Sequence, residues 1–97
     1  MRAPQDCTNM AELRAAIDEL DREIVAKLAQ RARYIDRAAE LKRENGLPAN
    51  IPARVEEVVS RVRTTAGEAG FDADLAETIW RAMIDWSIAR EEQHLGS

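Results

Sequence analysis

The chain has 97 residues, of which 45% are hydrophobic and 33% charged, and it carries a formal net charge of −4. That length suffices for one domain with a modest core and not for two. The acidic balance argues against general binding to nucleic acid or anionic membrane, which needs a basic footprint to release counterions, and no apolar run is long enough to span a membrane.

Residues 1–8, MRAPQDCT, read as an extended lead-in around Pro4. They lack the apolar run of a signal peptide, so a cytoplasmic location is expected. Asn9 to Asn45 then reads as one unbroken helix. Apolar residues recur at Met10, Leu13, Ile17, Leu20, Ile24, Leu28, Ile35, Ala38 and Leu41, in steps of three, four and seven that draw a stripe down one face. Asn9 with Glu12 three positions later fits an N-terminal capping box, and Gly46 then Pro48 supply the stop. At 1.5 Å per residue such a rod is roughly 55 Å long, whereas a compact domain of this size has a radius of gyration of only about 12–13 Å. A second chain is expected to cover it.

The stripe is broken at one position. Seven-residue steps from Ile17 and Ile24 land on Arg31, between Leu28 and Ile35. A guanidinium there faces the core and requires an acidic partner or an anionic ligand, because an unpaired buried charge costs several kcal/mol. Lys42 lies about 20° off the same face. Two cations therefore look inward along one line.

The linker GLPANI, residues 46–51, leads to a second predicted helix from Pro52 to about Ala66, with Val55, Val58, Val59 and Val62 on its inner face and Gly67 and Gly70 at its end. Asp72 or Asp74 can cap a third, running to about Gln93, with Leu75, Ile79, Met83, Trp86 and either Leu95 or Ile88 as inner positions. The expected fold class is all-α, with three unequal helices forming a single domain over residues 1–97. Two short helices leave part of the long one bare, and crossing or entwining two copies as a homodimer would cover it.

Cys7 is the only cysteine and His94 the only histidine, so there is no disulfide framework and no metal-ligand spacing. A catalytic pairing of the two would need both terminal segments ordered, and Cys7 reads more simply as a small apolar plug. Trp80 and Trp86 fit core or interface positions better than a stacking platform. Asp18, Asp21 and Glu40 are expected to cap or pair the helix's own arginines. Arg54 opens the second helix just past the linker. Arg14 stands about 25 Å along the axis from Arg31, too far for one small ligand within one chain, although an entwined partner could bring its Arg14 there.

The pattern Arg14, Arg31, Lys42, Arg54, at spacings of seventeen, eleven and twelve, resembles that of the all-helical chorismate mutase family. The start APQDCTNMAELRAAIDELDREIV and the segment WSIARE resemble its isochorismate pyruvate lyase branch. The resemblance covers nearly the whole chain. It implies an entwined homodimer whose sites are each completed by Arg14 of the other chain, acting on a small dicarboxylate with no metal or cofactor. Arg31 and the partner's Arg14 would clamp carboxylates, Arg54 would add positive charge, Lys42 would donate to the ether oxygen whose bond breaks, and Ser87 would bind the ring carboxylate. Positioning and charge stabilisation then carry a pericyclic rearrangement.

Two departures bear on the substrate. Glu91 stands where many members have a glutamine that donates to the ether oxygen, and a carboxylate can donate only when protonated. Val55 replaces a glutamate that holds the ring hydroxyl of chorismate in typical mutases, which leans toward the lyase. Ser87 leans toward the mutase. The expected activity is conversion of chorismate to prephenate, with elimination of pyruvate from isochorismate to give salicylate as the alternative. From another class, a non-catalytic helical dimerisation module fits the periodicity alone.

Overall fold

The computed structural model describes residues 2–96. Its helices are α1 (Met10–Asn45), α2 (Pro52–Ala69) and α3 (Ala73–Leu95), preceded by a short 3-10 turn at Pro4–Asp6. Among the described residues there is no strand, and the fold is all-α. Contacts divide the chain within α1, into one unit up to Arg33 and another from Tyr34 onward.

In the first unit the lead-in is not fully extended. Asp6 N donates to Ala3 O at 2.9 Å and Cys7 N to Pro4 O at 3.2 Å, so the proline rigidifies a turn rather than a straight entry. Asn9 caps α1 through its Oδ1, which accepts from Glu12 N at 2.8 Å. The return half of the capping box is displaced by one residue: the Glu12 carboxylate accepts from Thr8 N at 3.0 Å and is also paired with Arg2. Beyond the cap, the apolar stripe is left uncovered. Met10, Ile17, Leu20, Ile24 and Leu28 are all exposed, Ile24 to 54%.

In the second unit α1 ends in a Schellman turn. Gly46 takes a φ of 67°, Leu47 N donates to Lys42 O at 2.8 Å and Gly46 N to Arg43 O at 3.4 Å. Pro52 opens α2, as its missing N–H allows. Val59 is buried and Val55, Val58 and Val62 are half-buried, the expected face. Gly67, expected as a stop, lies inside α2. The helix continues to Ala69 because its first left-handed residue is Gly70, at φ 73°, where Phe71 N reaches Ala66 O.

Asp72 rather than Asp74 caps α3, its Oδ1 accepting from Asp74 N and Leu75 N at 2.8 and 3.0 Å. Asp74 turns instead to Arg63 of α2, at 3.0 Å. The packing face of α3 differs from the expected one. Leu75, Ile79 and Trp86 are exposed, while the buried positions are Ala76, Ile84, Ser87 and Glu91. The two faces lie one residue, about 100°, apart around the helix. Hydrophobicity pointed to the face with more of the large side chains, but within one chain α3 packs on the face where Ile84 sits among small and polar ones. Arg63 and Arg81 tie α2 to α3 through Glu77 and Glu56. No large side chain is fully buried among the described residues, so the core is thin.

Candidate active site

The packed face of α3 carries two buried polar side chains. Ser87 and Glu91 are one turn apart on it, with 5% and 4% of their surface exposed, in positions that an ordinary core would fill with apolar groups. Ser87 Oγ donates back to Met83 O at 2.9 Å. Glu91 meets Lys42 from the last turn of α1, with Lys42 Nζ 2.9 Å from Glu91 Oε2. The same ammonium donates to the carbonyl oxygen of Ala49 at 2.8 Å. Two of its three donors thus have protein acceptors, and the third can be offered to a ligand.

This arrangement follows from local structure. The Schellman turn at Gly46 sends the linker back past Lys42, and Ala49, 7% exposed, is buried by that return. Because the contact to Ala49 is made by backbone, no side-chain signal in the sequence could have indicated it. Beside it lies a cavity of about 500 Å³, lined by Lys42 and Arg43, linker residues 46–50, and Glu92 and Leu95 from the end of α3. Its volume is in the range of small-molecule sites, about 300–1,000 Å³. Its wall combines two cations and the Glu92 carboxylate with the apolar surface of Leu47, Pro48 and Leu95.

The other expected site residues are distributed as follows. Arg54 is on the first turn of α2, with its guanidinium exposed and paired to Glu57 on its own helix. Val55 beside it is half-buried. Arg14, exposed, and Arg31, half-buried, belong to the first unit. The second unit therefore joins Lys42 to Glu91 directly, sets Ser87 one turn away, and turns Arg54 to its own helix. Glu40 pairs with Arg37 at 2.6 Å, as expected of a solvated acid on α1. Trp80 is half-buried and Trp86 is 51% exposed beneath the Arg90 guanidinium, 5.6 Å from its ring centroid.

Sequence reasoning missed a second ion pair between the same two helices. Arg90 Nε and a second guanidinium nitrogen donate to the two oxygens of Asp36 at 2.5 and 3.0 Å, a bidentate geometry, and His94 Nε2 stands 3.4 Å from the same carboxylate. The Arg90 hydrogen bond is the chief reason that Asp36 is held below its ordinary range, and Asp36 in turn raises Arg90. A signal did exist: Arg90 and His94 are four apart on α3, so they face one neighbour together. Among the described residues no group of three or more His, Cys, Asp or Glu side chains could hold a metal ion, and no helix is long and apolar enough to cross a membrane.

Residues 13–92 match the family model described as chorismate mutase type II. The isochorismate pyruvate lyase of Pseudomonas aeruginosa is 37% identical over 92 residues, covering 94% of this chain and 89% of that protein. The chorismate mutase of Methanocaldococcus jannaschii is 31% identical over 86 residues, 89% of this chain and 87% of that one. The T-protein of Haemophilus influenzae is 34% identical over 84 residues, which span 87% of this chain and 22% of that protein.

Proposed function

We propose that this chain, which belongs to the type II chorismate mutase family, converts chorismate to prephenate with its 97 residues acting as a single helical domain. The observation that carries the reading is the pair of half-buried Lys42 on α1 with buried Glu91 on α3, with Ser87 one turn away on the face α3 packs inward. In the rearrangement one carbon–oxygen bond breaks as one carbon–carbon bond forms, with no covalent enzyme intermediate. Lys42 offers its third proton to the ether oxygen as negative charge develops there. Arg31 holds one substrate carboxylate, Arg54 swings from Glu57 to add positive charge, and Ser87 receives the ring carboxylate. Glu91 donates to the ether oxygen from its second oxygen in its protonated form, while Oε2 keeps its bond from Lys42.

The working form on this reading is an entwined homodimer, each site taking Arg14 from the other chain. Support comes from the apolar surface left bare: the α1 stripe from Met10 to Leu28 and the face of Leu75, Ile79 and Trp86 on α3. Such faces are the material of obligate helical interfaces.

Elimination of pyruvate from isochorismate is the second reading, favoured by Val55 at the head of α2 and by the Pseudomonas relative's name. A paired assay at pH 5, 6.5 and 8 separates them, following loss of chorismate with appearance of prephenate, and salicylate fluorescence from isochorismate. Prephenate with little salicylate supports the mutase. Efficient salicylate release makes the lyase the main activity, and no turnover of either leaves a non-catalytic module.

A further inference from the structure

The ion pair between Asp36 and Arg90 has no part in binding or chemistry on the reading above, yet it joins the two helices that carry Lys42 and Glu91. Asp36 lies six residues before Lys42 on α1, about 9 Å along the axis, whereas Arg90 and Glu91 are neighbours on α3. Two adjacent side chains of one helix therefore grip the other at two separate heights. That arrangement fixes translation and rotation together, which a single contact could not do.

The polarity of the two grips is crossed. At the upper contact α1 supplies the acid and α3 the base, and at the lower contact α1 supplies the base and α3 the acid. A slide of α1 that brought Asp36 toward Glu91, or Lys42 toward Arg90, would set like charges together. Only the observed register satisfies both pairs. The Arg90 guanidinium also lies over the Trp86 ring, and His94 Nε2 stands 3.4 Å from Asp36 Oδ1, the same oxygen that Arg90 Nε reaches.

We infer that Asp36 and Arg90 are positioning residues that set the height of α1 against α3, so that the Lys42 ammonium is presented to substrate within hydrogen-bond reach of Glu91. The inference rests on the reading that Lys42 and Glu91 act on the substrate. Displacing a catalytic donor by about 1 Å can cost up to 100-fold in rate. Loss of one grip, with packing retained, should cost about tenfold.

The test uses steady-state chorismate turnover by the full chain. Asp36→Asn keeps the shape and removes the charge, Arg90→Lys keeps the charge and removes the fork, and the double variant Asp36→Arg with Arg90→Asp restores the pair reversed. Each single change should lower kcat about tenfold while KM stays within about twofold, at a temperature well below the midpoint of unfolding. The reversed pair should recover stability but not kcat, because with two bases on α1 and two acids on α3 a slid register satisfies the charges as well, whereas a merely stabilising contact would leave kcat unchanged in every variant. Lys42→Ala is measured alongside. If Lys42→Ala is inactive while Asp36→Asn and Arg90→Lys turn over like the wild type, the positioning role is overturned. If Lys42→Ala itself is fully active, the assignment of Lys42 fails instead.

Discussion

Replacing Glu91 by glutamine tests the proposed chemistry at the one charged side chain that is buried among the described residues. In the free protein the change turns the ion pair with Lys42, now 2.9 Å long, into a hydrogen bond from the same ammonium to a neutral amide oxygen. That bond is still charge-assisted and Lys42 keeps its bond to the Ala49 carbonyl, so the variant should lose only the added attraction between two charges, about 1 kcal/mol. In the transition state the balance reverses. An amide offers an N–H to the ether oxygen at every pH, whereas a carboxyl offers a proton only in the fraction of molecules that hold one. Removing one donor aimed at developing negative charge costs about 100-fold in kcat. Wild-type turnover should therefore fall as pH rises, by at most about tenfold per unit for a single proton, whereas Glu91→Gln should be independent of pH and gain steadily on the wild type. Stopped or continuous assays of chorismate loss in both proteins give the answer. A flat wild-type profile with an unchanged variant would refute the donor role, and a variant slower at every pH would make the carboxylate an acceptor that orients Lys42.

Other perturbations follow from the same geometry. Asp36, held down chiefly by its bond from Arg90, and Glu56 and Glu77, held down chiefly by Arg81, all bind protons less readily in the folded chain than the ordinary values of 3.8 and 4.5 would give. The unfolded chain then takes up more protons as acid is added, so the stability these groups contribute is present above about pH 4.5 and is lost as pH falls through their lowered values. Arg81→Met should flatten this acid limb in urea melts recorded from pH 5 down to pH 2. Gly70→Ala places a side chain at φ 73° with open space around it, so the cost is backbone strain alone, about 1–2 kcal/mol by chemical denaturation. Ile24→Lys puts a charge in the middle of the bare α1 stripe and should shift sedimentation to the monomer with loss of turnover. A dimer of unchanged mass and activity would show that the stripe is not the contact.

How far the sequence could be read depended on which force shaped each part. The ends of α1 and the start of α2 were legible because Asn9, Gly46 and Pro52 act through their own backbone chemistry, independent of what surrounds them. The end of α2 was not, because Gly67 and Gly70 look alike as letters and only the second adopts the left-handed conformation. On α3 the moment of the large side chains marked a face that this chain leaves exposed. On the packed face Ile84 is joined by Ala76, Ser87 and Glu91, which carry little hydrophobic signal. Lys42 was legible as a candidate from its spacing and from the resemblance, Glu91 from the resemblance alone, and the two meet at 2.9 Å. Asp36 and Arg90 were passed over because a charged residue on a helix surface reads as solvated until its neighbour is known.

The bond from Lys42 to the Ala49 carbonyl bears on how this protein can change over generations. An oxygen of the main chain is present whatever side chain a codon specifies, so point mutations in the linker cannot delete that acceptor, and only the tight packing around Ala49 limits the size of its replacement. Chain length is a different matter. Inserting or removing one residue between Gly46 and Pro52 would carry a different carbonyl to the ammonium, or none. Composition in this segment is thus free to drift while its length is held, and variation among descendants should accumulate as substitutions rather than as gaps.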